Sequence, residues 1–198
     1  MFDMQKLFAA FPVIDLDDTY YLRRFKLSDA EGYHEFYNQP EVAKFLPDSM
    51  VTKNIEHATQ EITDIIDAFN KKETIYWAIA QKSDDKIIGG CGFHDWNRFH
   101  LRMEIAYDLH PNYWRKGIMQ KAIRAVLKFA FSYMGVVRIT ATTVNENDAS
   151  NNLLLKLGFK YEGVLRKYKF FKGKMIDVMF FSYIINDFTR DVNLGRYN

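Results

Sequence analysis

The stretch DLHPNYWRKGIMQKAIRAVLKFAF, from Asp108 to Phe131, decides how this sequence is interpreted. From Lys116 onward its apolar residues recur at helical spacing, yet the helix opens with Arg115, Lys116 and soon Lys121. Positive side chains oppose the dipole at a helix N-terminus, where acidic residues are usual. An anion held against the free N–H groups of the first turn would reconcile these charges with a helix start.

The local chemistry favours a phosphate as that anion. No Ser, Thr, Asp or Asn immediately precedes Lys116 to cap the helix, and Gly117 lets a ligand approach the backbone closely. The alternative is a solvated helix start whose basic side chains extend into water. Two other glycine segments fit phosphate less well, because GGCGFHD lacks the third glycine of a dinucleotide fingerprint and FKGKM lacks the features of a P-loop.

Length and composition predict one globular domain over residues 1–198. The net charge of +2 is too small for the electrostatic footprint of a nucleic-acid-binding protein, so no direct nucleic-acid partner is expected. Cys91 is the single cysteine, which excludes an internal disulfide and indicates a reducing, cytoplasmic compartment. The early run LFAAFPVI is too short to cross a bilayer, so no membrane association is expected.

Apolar periodicity and turn residues predict alternating strands and helices along most of the chain. The predicted elements are a strand at Thr19–Phe25, a helix capped by Ser28, a short helical piece between Pro40 and Pro47, a helix over Thr52–Asn70, the strands TIYWAIAQ and KIIGGCGFHDW joined by the turn KSDDK, a strand at Leu101–Leu109, a helix at about Lys116–Tyr133, the strand VVRITATTV, a helix between Asn147 and Gly158, and strands at Tyr161–Phe171 and Met175–Ile184. This order predicts a single mixed sheet of the α/β or α+β class.

Three ordered segments resemble one known family. YWRKGIMQKA, which follows MEIAYDLHP, resembles the pyrophosphate-binding motif Q/R-x-x-G-x-G/A of the GNAT superfamily of acyl-CoA N-acyltransferases, with the Trp114 common in its RimJ/RimL-type branch. NENDASNNLLLKLGFKYEGVLRKYKFFKGKMIDVMFFSYI resembles the second hallmark of that branch, and YLRRFKLSDAEGYHEFYNQPEVAKFL resembles its opening. The resemblance runs from about Tyr21 to Tyr183, within a motif-bearing core of about residues 19–185. It implies the α+β GNAT fold, a single twisted mixed sheet flanked by helices.

The resemblance also implies acetyl-CoA as co-substrate. The N–H groups of Arg115 through Gln120 would meet its pyrophosphate, the strand ending at Leu109 would pair with the pantetheine amides, and the Asn147 side chain would hold the pantetheine arm. The residues implied for coenzyme binding are Leu109, Trp114, Arg115, Lys116, Gly117, Ile118, Met119, Gln120, Asn147 and Asn152. Met119 departs from the Gly/Ala position of the motif, and we expect its side chain to point into the fold while its N–H faces the phosphate.

Acetyl transfer to an amine needs a neutral amine, a stabilised oxyanion and a tolerated thiolate. At pH 7, deprotonation costs about 1.4 kcal/mol for an α-amine with a pKa near 8 and about 4.6 kcal/mol for a lysine. A carboxylate acting through one water meets the smaller demand. Glu104 is the first candidate base, since its EIAY segment resembles the EIGY of the branch, and Glu162 is the second. The alternative for Glu104 is a solvated strand residue.

The thiolate needs a proton donor. Many superfamily members use a tyrosine in the second motif, where this sequence has Leu154. Ser150 is the best remaining donor, directly or through water, although serine is equally common as a helix cap. Whether Ser150, Glu162 or water protonates the thiolate stays open.

Other reactive side chains are given lesser roles. Cys91 is expected to be buried and inert. No metal site is expected, because the spacing of the histidines is not that of metal ligands. His94, Trp96 and Asn97 are expected near the acceptor pocket. Four lysines near the last hairpin either solubilise it or receive an acidic or ribosomal partner, namely Lys167, Lys169, Lys172 and Lys174.

The sequence therefore predicts an enzyme that transfers acetyl from acetyl-CoA to a primary amine, first of all the N-terminal α-amine of a ribosomal or other protein. One alternative is a polyamine or aminoglycoside acetyltransferase. Another, from a different class, is a CoA-binding module without turnover. The oligomeric state, monomer or homodimer, is left open.

Overall fold

The computed structural model describes residues 8–197. Residues 1–7 and 198 of the predicted domain lie outside the described residues, and they include the leucine that begins the LFAAFPVI run. The strands are β1 (Ile14–Asp15), β2 (Tyr20–Arg23), β3 (Ile75–Gln81), β4 (Ile87–Asn97), β5 (Arg102–Leu109), β6 (Arg138–Thr143), β7 (Lys160–Phe171) and β8 (Lys174–Ile184). The helices are α1 (Ala30–Tyr37), α2 (Pro40–Ala43), α3 (Ile55–Asn70), α4 (Ile118–Tyr133), α5 (Asp148–Leu157) and α6 (Ile185–Asn193).

The eight strands form one mixed sheet in the order β1-β2-β3-β4-β5-β6-β8-β7. Neighbouring strands are antiparallel except β5 and β6, which run parallel. A parallel pair needs a crossover connection, and α4 supplies it. The predicted single mixed sheet flanked by helices is confirmed.

Helices cover both faces of the sheet, so most of β3 and the first seven residues of β4 are buried on both sides. On one face, α4 and α5 pack on β3–β6 in a core that includes Trp77, Ile105 and Val126. On the other face, α1 to α3 form a second core around Phe36 and Ile62. The two layers of helices enclose the sheet. The candidate site lies where β5 and β6 separate.

Local details differ from the sequence prediction at the first helix. Ser28 does not cap it, because a 3-10 turn over Leu27–Asp29 comes first and α1 begins only at Ala30. The Asp29 carboxylate closes this turn by accepting from the backbone N–H of Lys26 at 2.8 Å.

The sequence analysis missed two elements. The two-residue strand β1 pairs with β2 at the sheet edge. Helix α6 follows β8 without a loop, and its Phe188 packs against Phe131 of α4 with ring centroids 5.1 Å apart. Among residues 8–197, no helix is long and apolar enough to span a membrane.

Candidate active site

The parallel strands β5 and β6 part halfway along their length. Their pairing covers only Arg102 to Glu104 of β5, with Glu104 opposite Thr140 of β6. Beyond this point β5 continues to Leu109 while the end of β6 pairs only with β8. The β6-facing edge of residues 105–109 therefore presents backbone groups that an extended ligand can pair with, as an added strand would.

An open cleft of about 900 Å³ occupies this divergence. Residues from both faces of the sheet line it. Gly117 at the N-cap of α4 and Leu153 of α5 lie on one side, and Val42 of α2 and His94 of β4 lie on the other. The volume suits a ligand of coenzyme size.

The backbone before α4 turns sharply and leaves the helix start open toward the cleft. Arg115 has φ +60° and Gly117, the N-cap residue, has φ +76°. No side chain of the described chain caps this helix, and a Cβ on Gly117 would meet nothing within 4 Å. The helix prediction began two residues too early, because these left-handed conformations delay α4 to Ile118. Within residues 8–197 no group accepts from the N–H groups of its first three residues, so they can meet an anion such as the pyrophosphate of CoA.

Some residues around this turn line the cleft, and others pack in the core or lie outside the cleft. Met119 is buried, only 8% exposed, and packs in the core, as expected for a helical residue whose side chain points away from the ligand. The Trp114 indole donates to the Leu109 carbonyl at 2.6 Å and ties the turn to β5. Lys116 lies over the Tyr113 ring at 5.2 Å and does not line the cleft, whereas Arg115 and Gln120 do.

The start of α5 forms another wall of the cleft. Asn147 caps α5 by accepting from the Ser150 N–H at 3.2 Å, and both Asn147 and Asn152 line the cleft. The buried Asn151, between them in this turn, has a structural role, since it accepts from the Thr143 hydroxyl and donates to the Asn145 carbonyl.

Glu104 lies at the point where the strands part. Its side chain is 16% exposed and lines the cleft. The Thr142 hydroxyl of β6 donates to Oε1 at 2.5 Å, and His94 Nε2 of β4 lies 4.0 Å from the same oxygen. The Thr142 hydrogen bond thus orients the carboxylate while it still faces open space.

Ser150 has a partner that the sequence analysis missed. Its Oγ lies 2.7 Å from the hydroxyl of Tyr107 on β5, so the two hydroxyls span the gap between β5 and α5. Burial raises the pKa of Tyr107 and keeps it protonated at neutral pH. The Tyr of the EIAY segment was the available signal for this contact. Leu154, at the family's tyrosine position, is fully buried in the core.

Asp108 is a second carboxylate on the cleft wall that the sequence analysis missed. Its Oδ2 accepts from the hydroxyls of Tyr37 and Tyr76, both at 2.7 Å. Its Oδ1 is buried and has no hydrogen-bond partner among residues 8–197. Burial raises the pKa of Asp108 to about 6, although the two tyrosines and the Gly90 backbone favour the charged form.

Three other expectations need correction or restatement. Glu162 does not line the cleft, because Arg138 and Ser182 occupy its two oxygens at 2.5 and 2.6 Å. Trp96 also lies away from the cleft, where its ring stacks with Phe8 and the Arg98 guanidinium. Asn97 likewise does not line it, since its side chain accepts from the His100 N–H. Of the three residues expected near the acceptor, only His94 lines the cleft.

The remaining reactive side chains are easily placed. Cys91 is fully buried, and burial raises its pKa well above the ordinary value, which fits the expected inert thiol. Ligand atoms of His94, Asp95 and Glu104 lie within 4.8 Å of one another and could hold a cation. Of the hairpin lysines, Lys169 lines the cleft and Lys172 donates to the Ala43 carbonyl of α2 at 2.9 Å.

A parted strand edge beside an uncapped helix start defines a class of enzyme, the acyltransferases that hold an acyl-CoA between two strands of a mixed sheet. Residues 20–160 match the sequence profile of a family described as "Acetyltransferase (GNAT) domain". The chain belongs to this family and is an acetyl-CoA-dependent N-acetyltransferase.

Similar proteins support the same assignment. "Uncharacterized N-acetyltransferase YoaA" of Bacillus subtilis is 34% identical over 174 residues, which cover 88% of this chain and 97% of the relative. The solved structure of "Ribosomal-protein-S5-alanine Acetyltransferase" from Vibrio fischeri has a TM-score of 0.75 at 26% identity and covers 86% of this chain and 98% of its own. The fold is also that of "Microcin C7 self immunity acetyltransferase MccE in complex with Acetyl-CoA and AMP", with a TM-score of 0.79, 24% identity and coverage of 86% and 94%.

Proposed function

We propose that this enzyme transfers the acetyl group of acetyl-CoA to the N-terminal α-amine of a protein. The observation that carries the proposal is the parting of β5 from β6, with the free helix start of α4 on one side and Glu104 at its origin. The similarity to a ribosomal-protein-S5-alanine acetyltransferase supports a protein N-terminus as acceptor. The strength of base that is needed also favours an α-amine, because its deprotonation at pH 7 costs about 3 kcal/mol less than that of a lysine.

Coenzyme binding is assigned to the residues around the parted strands. The α4 N-terminus, from Arg115 to Gln120, receives the pyrophosphate, with the Arg115 guanidinium beside it. The free edge of β5 up to Leu109 pairs with the pantetheine amides. Asn147 and Asn152 complete the wall, and Trp114 fixes the turn. Lys116 contributes long-range attraction to the phosphates from its position over Tyr113.

Glu104 is proposed as the general base, acting directly or through one water. As the new C–N bond forms, the amine nitrogen releases a proton to Glu104 and the C–S bond of the thioester breaks. The leaving thiolate takes a proton from Ser150, whose hydroxyl is held 2.7 Å from that of Tyr107. Solvent then returns a proton to Ser150 and accepts the proton held by Glu104, so both residues are restored. Glu162 has no role in this scheme, because both of its oxygens are bound away from the cleft.

The decisive experiment is an acceptor panel with free-thiol release as the readout. Peptides that begin with Ala, Ser or Thr are expected to be turned over, whereas the same peptides with a blocked α-amine are not. Better turnover of spermidine or an aminoglycoside would replace the proposal with small-amine acetylation. CoA binding without turnover of any amine would refute amine acetylation and leave a binding module.

Several further assignments stay predictions. One domain over residues 1–198 is supported by the continuous sheet from β1 to β8. A cytoplasmic location is supported by the single, buried cysteine. Catalysis without a metal ion is tested by activity after treatment with EDTA. The oligomeric state, monomer or homodimer, is tested by sedimentation.

A further inference from the structure

We propose that His94 is the second point of attachment for the acceptor amine, and that with Glu104 it selects primary amines. The proposal rests on the proposed function and names a residue of this site. Nε2 of His94 and Oε1 of Glu104 would each accept a hydrogen bond from the same nitrogen. His94 thereby acts as a substrate-contacting residue that aligns the nucleophile.

The two side chains are held together by the register of the sheet. His94 of β4 lies directly opposite Glu104 of β5 in the antiparallel pairing, so both project from the same face. Both line the cleft where β5 leaves β6. His94 is 46% exposed and Glu104 is 16% exposed, so a ligand can reach both.

A bulge in β4 fixes which ring nitrogen faces the cleft. The register shifts between His94 and Asn97, and Asp95 has φ +49°. Neighbouring side chains of a regular strand point to opposite faces, but this bulge brings Asp95 Oδ2 to 3.2 Å from His94 Nδ1. A carboxylate can only accept, so this contact favours the tautomer with the hydrogen on Nδ1, in which Nε2 is an acceptor.

Two acceptors therefore converge, and within residues 8–197 the only hydrogen bond donated to either atom comes from the Thr142 hydroxyl to Glu104 Oε1. The separation of 4.0 Å between Nε2 and Oε1 is too long for a direct hydrogen bond. A nitrogen atom placed about 2.9 Å from both acceptors would see them at an angle of roughly 90°, measured Nε2–N–Oε1. A neutral primary amine fits this position, because it gives one N–H to each acceptor and keeps its lone pair for the thioester. An amine with one N–H can satisfy only one of the two.

The test compares each acceptor with its N-methylated form, using the best acceptor of the panel. In the His94→Leu variant, kcat/KM for the primary amine is expected to fall by about tenfold, the size of one lost hydrogen bond to a neutral group. The N-methylated acceptor is expected to lose less than about twofold, so the preference for the primary amine falls by about fivefold or more. KM for acetyl-CoA stays unchanged.

Two variants separate this role from a structural one. His94→Gln, whose amide oxygen can lie near the position of Nε2, is expected to keep kcat/KM within about threefold of the wild type. His100→Leu alters a histidine in the next turn that does not line the cleft, and it should leave both acceptors unaffected.

The possible outcomes discriminate between hypotheses. An unchanged preference for the primary amine in His94→Leu would overturn the role of His94, even if Glu104→Gln abolishes activity and so supports the proposed function. Absence of amine turnover in the wild type would overturn both. Loss of wild-type activity in EDTA, restored by Zn²⁺, would overturn the two-acceptor site, because a cation would then occupy the same lone pairs. Full activity in EDTA supports it.

Discussion

Glu104 and Asp108 project from the same face of β5, four residues apart, yet their surroundings differ. Glu104 faces open space at the origin of the cleft, with a donor from Thr142. Asp108 lies beneath two tyrosine hydroxyls, with one oxygen buried and unpaired within the described part of the chain. The surroundings of Glu104 suit a residue that exchanges protons with a ligand. Those of Asp108 disfavour the ionised carboxylate because it is buried.

Replacing Glu104 tests the base assignment at the residue scale. Glu104→Gln is expected to lower kcat by about 10²-fold at pH 7, the lower range for general base catalysis. The deficit should shrink toward pH 9, because more of the amine is then neutral and bases in the solvent compete with the missing carboxylate for the proton. Initial rates at saturating acetyl-CoA between pH 6 and 9 measure this. A deficit of the same size at every pH would argue against the assignment.

Asp108 makes stability depend on pH. Its pKa is raised from the ordinary 3.8 to about 6 by burial, so the folded state binds more protons than the unfolded state between these values. Stability therefore falls as pH rises through this window, by at most about 3 kcal/mol. Asp108→Asn removes this cost and keeps an acceptor for Tyr37 and Tyr76.

The measurement is urea unfolding of the wild type and Asp108→Asn at pH 4.5 and 7.5. The variant should gain free energy of unfolding relative to the wild type as pH rises, by roughly 1–3 kcal/mol. An equal difference at both pH values would show that Asp108 does not titrate in this window.

At the scale of the element, the start of α4 combines a special backbone with free N–H groups. Gly117 at φ +76° has no protein atom within 4 Å of its missing Cβ, so a substitution there acts through the backbone conformation and through the space left for the ligand, not through protein contacts. Gly117→Val is expected to displace the N–H groups and raise KM for acetyl-CoA by about tenfold, while KM for the acceptor changes little.

Gly173 supplies the matched control, because it has φ +79° and nothing within 4 Å of its missing Cβ, but it lies in the β7–β8 turn. Gly173→Val should carry a similar conformational cost and leave KM for acetyl-CoA unchanged. If both variants weaken acetyl-CoA equally, general destabilisation and not anion binding explains the effect.

Sequence periodicity predicted most elements, because the spacing of apolar residues along the chain differs between helices and strands. The Met119 side chain could be placed because a helical residue at that position turns inward. The Asp108 cluster could not be predicted, since Tyr37 comes from α1 and Tyr76 from β3, and only the folded sheet brings them to β5. Tyr107 escaped for the same reason, because its partner Ser150 lies across a gap that local spacing does not encode.

At the scale of the whole molecule, α6 secures the far end of the sheet through Asp191. This carboxylate is fully buried, accepts from Tyr183 of β8 at 2.8 Å and contacts Arg196 at 3.0 Å. Asp191→Ala is expected to destabilise the protein by about 3 kcal/mol, because it leaves buried polar partners unpaired. Arg196→Ala removes a half-exposed partner while Asp191 keeps the Tyr183 hydroxyl and the Arg190 guanidinium, so it should cost less, about 1 kcal/mol.

Chemical unfolding of both variants gives the two free energies. Similar losses for Asp191→Ala and Arg196→Ala would mean that the ion pair, and not the buried carboxylate, secures α6.

The divergence of β5 from β6 opens through the thickness of the sheet, with Gly117 and Leu153 on one face and His94 and Lys169 on the other. Acetyl-CoA and the acceptor can therefore enter the cleft from opposite faces of the sheet, so both can be bound at the same time. The kinetics should therefore be sequential, through a ternary complex. Double-reciprocal plots at several fixed acceptor concentrations should intersect, whereas parallel lines would indicate an acetylated enzyme and a different route for the acyl group.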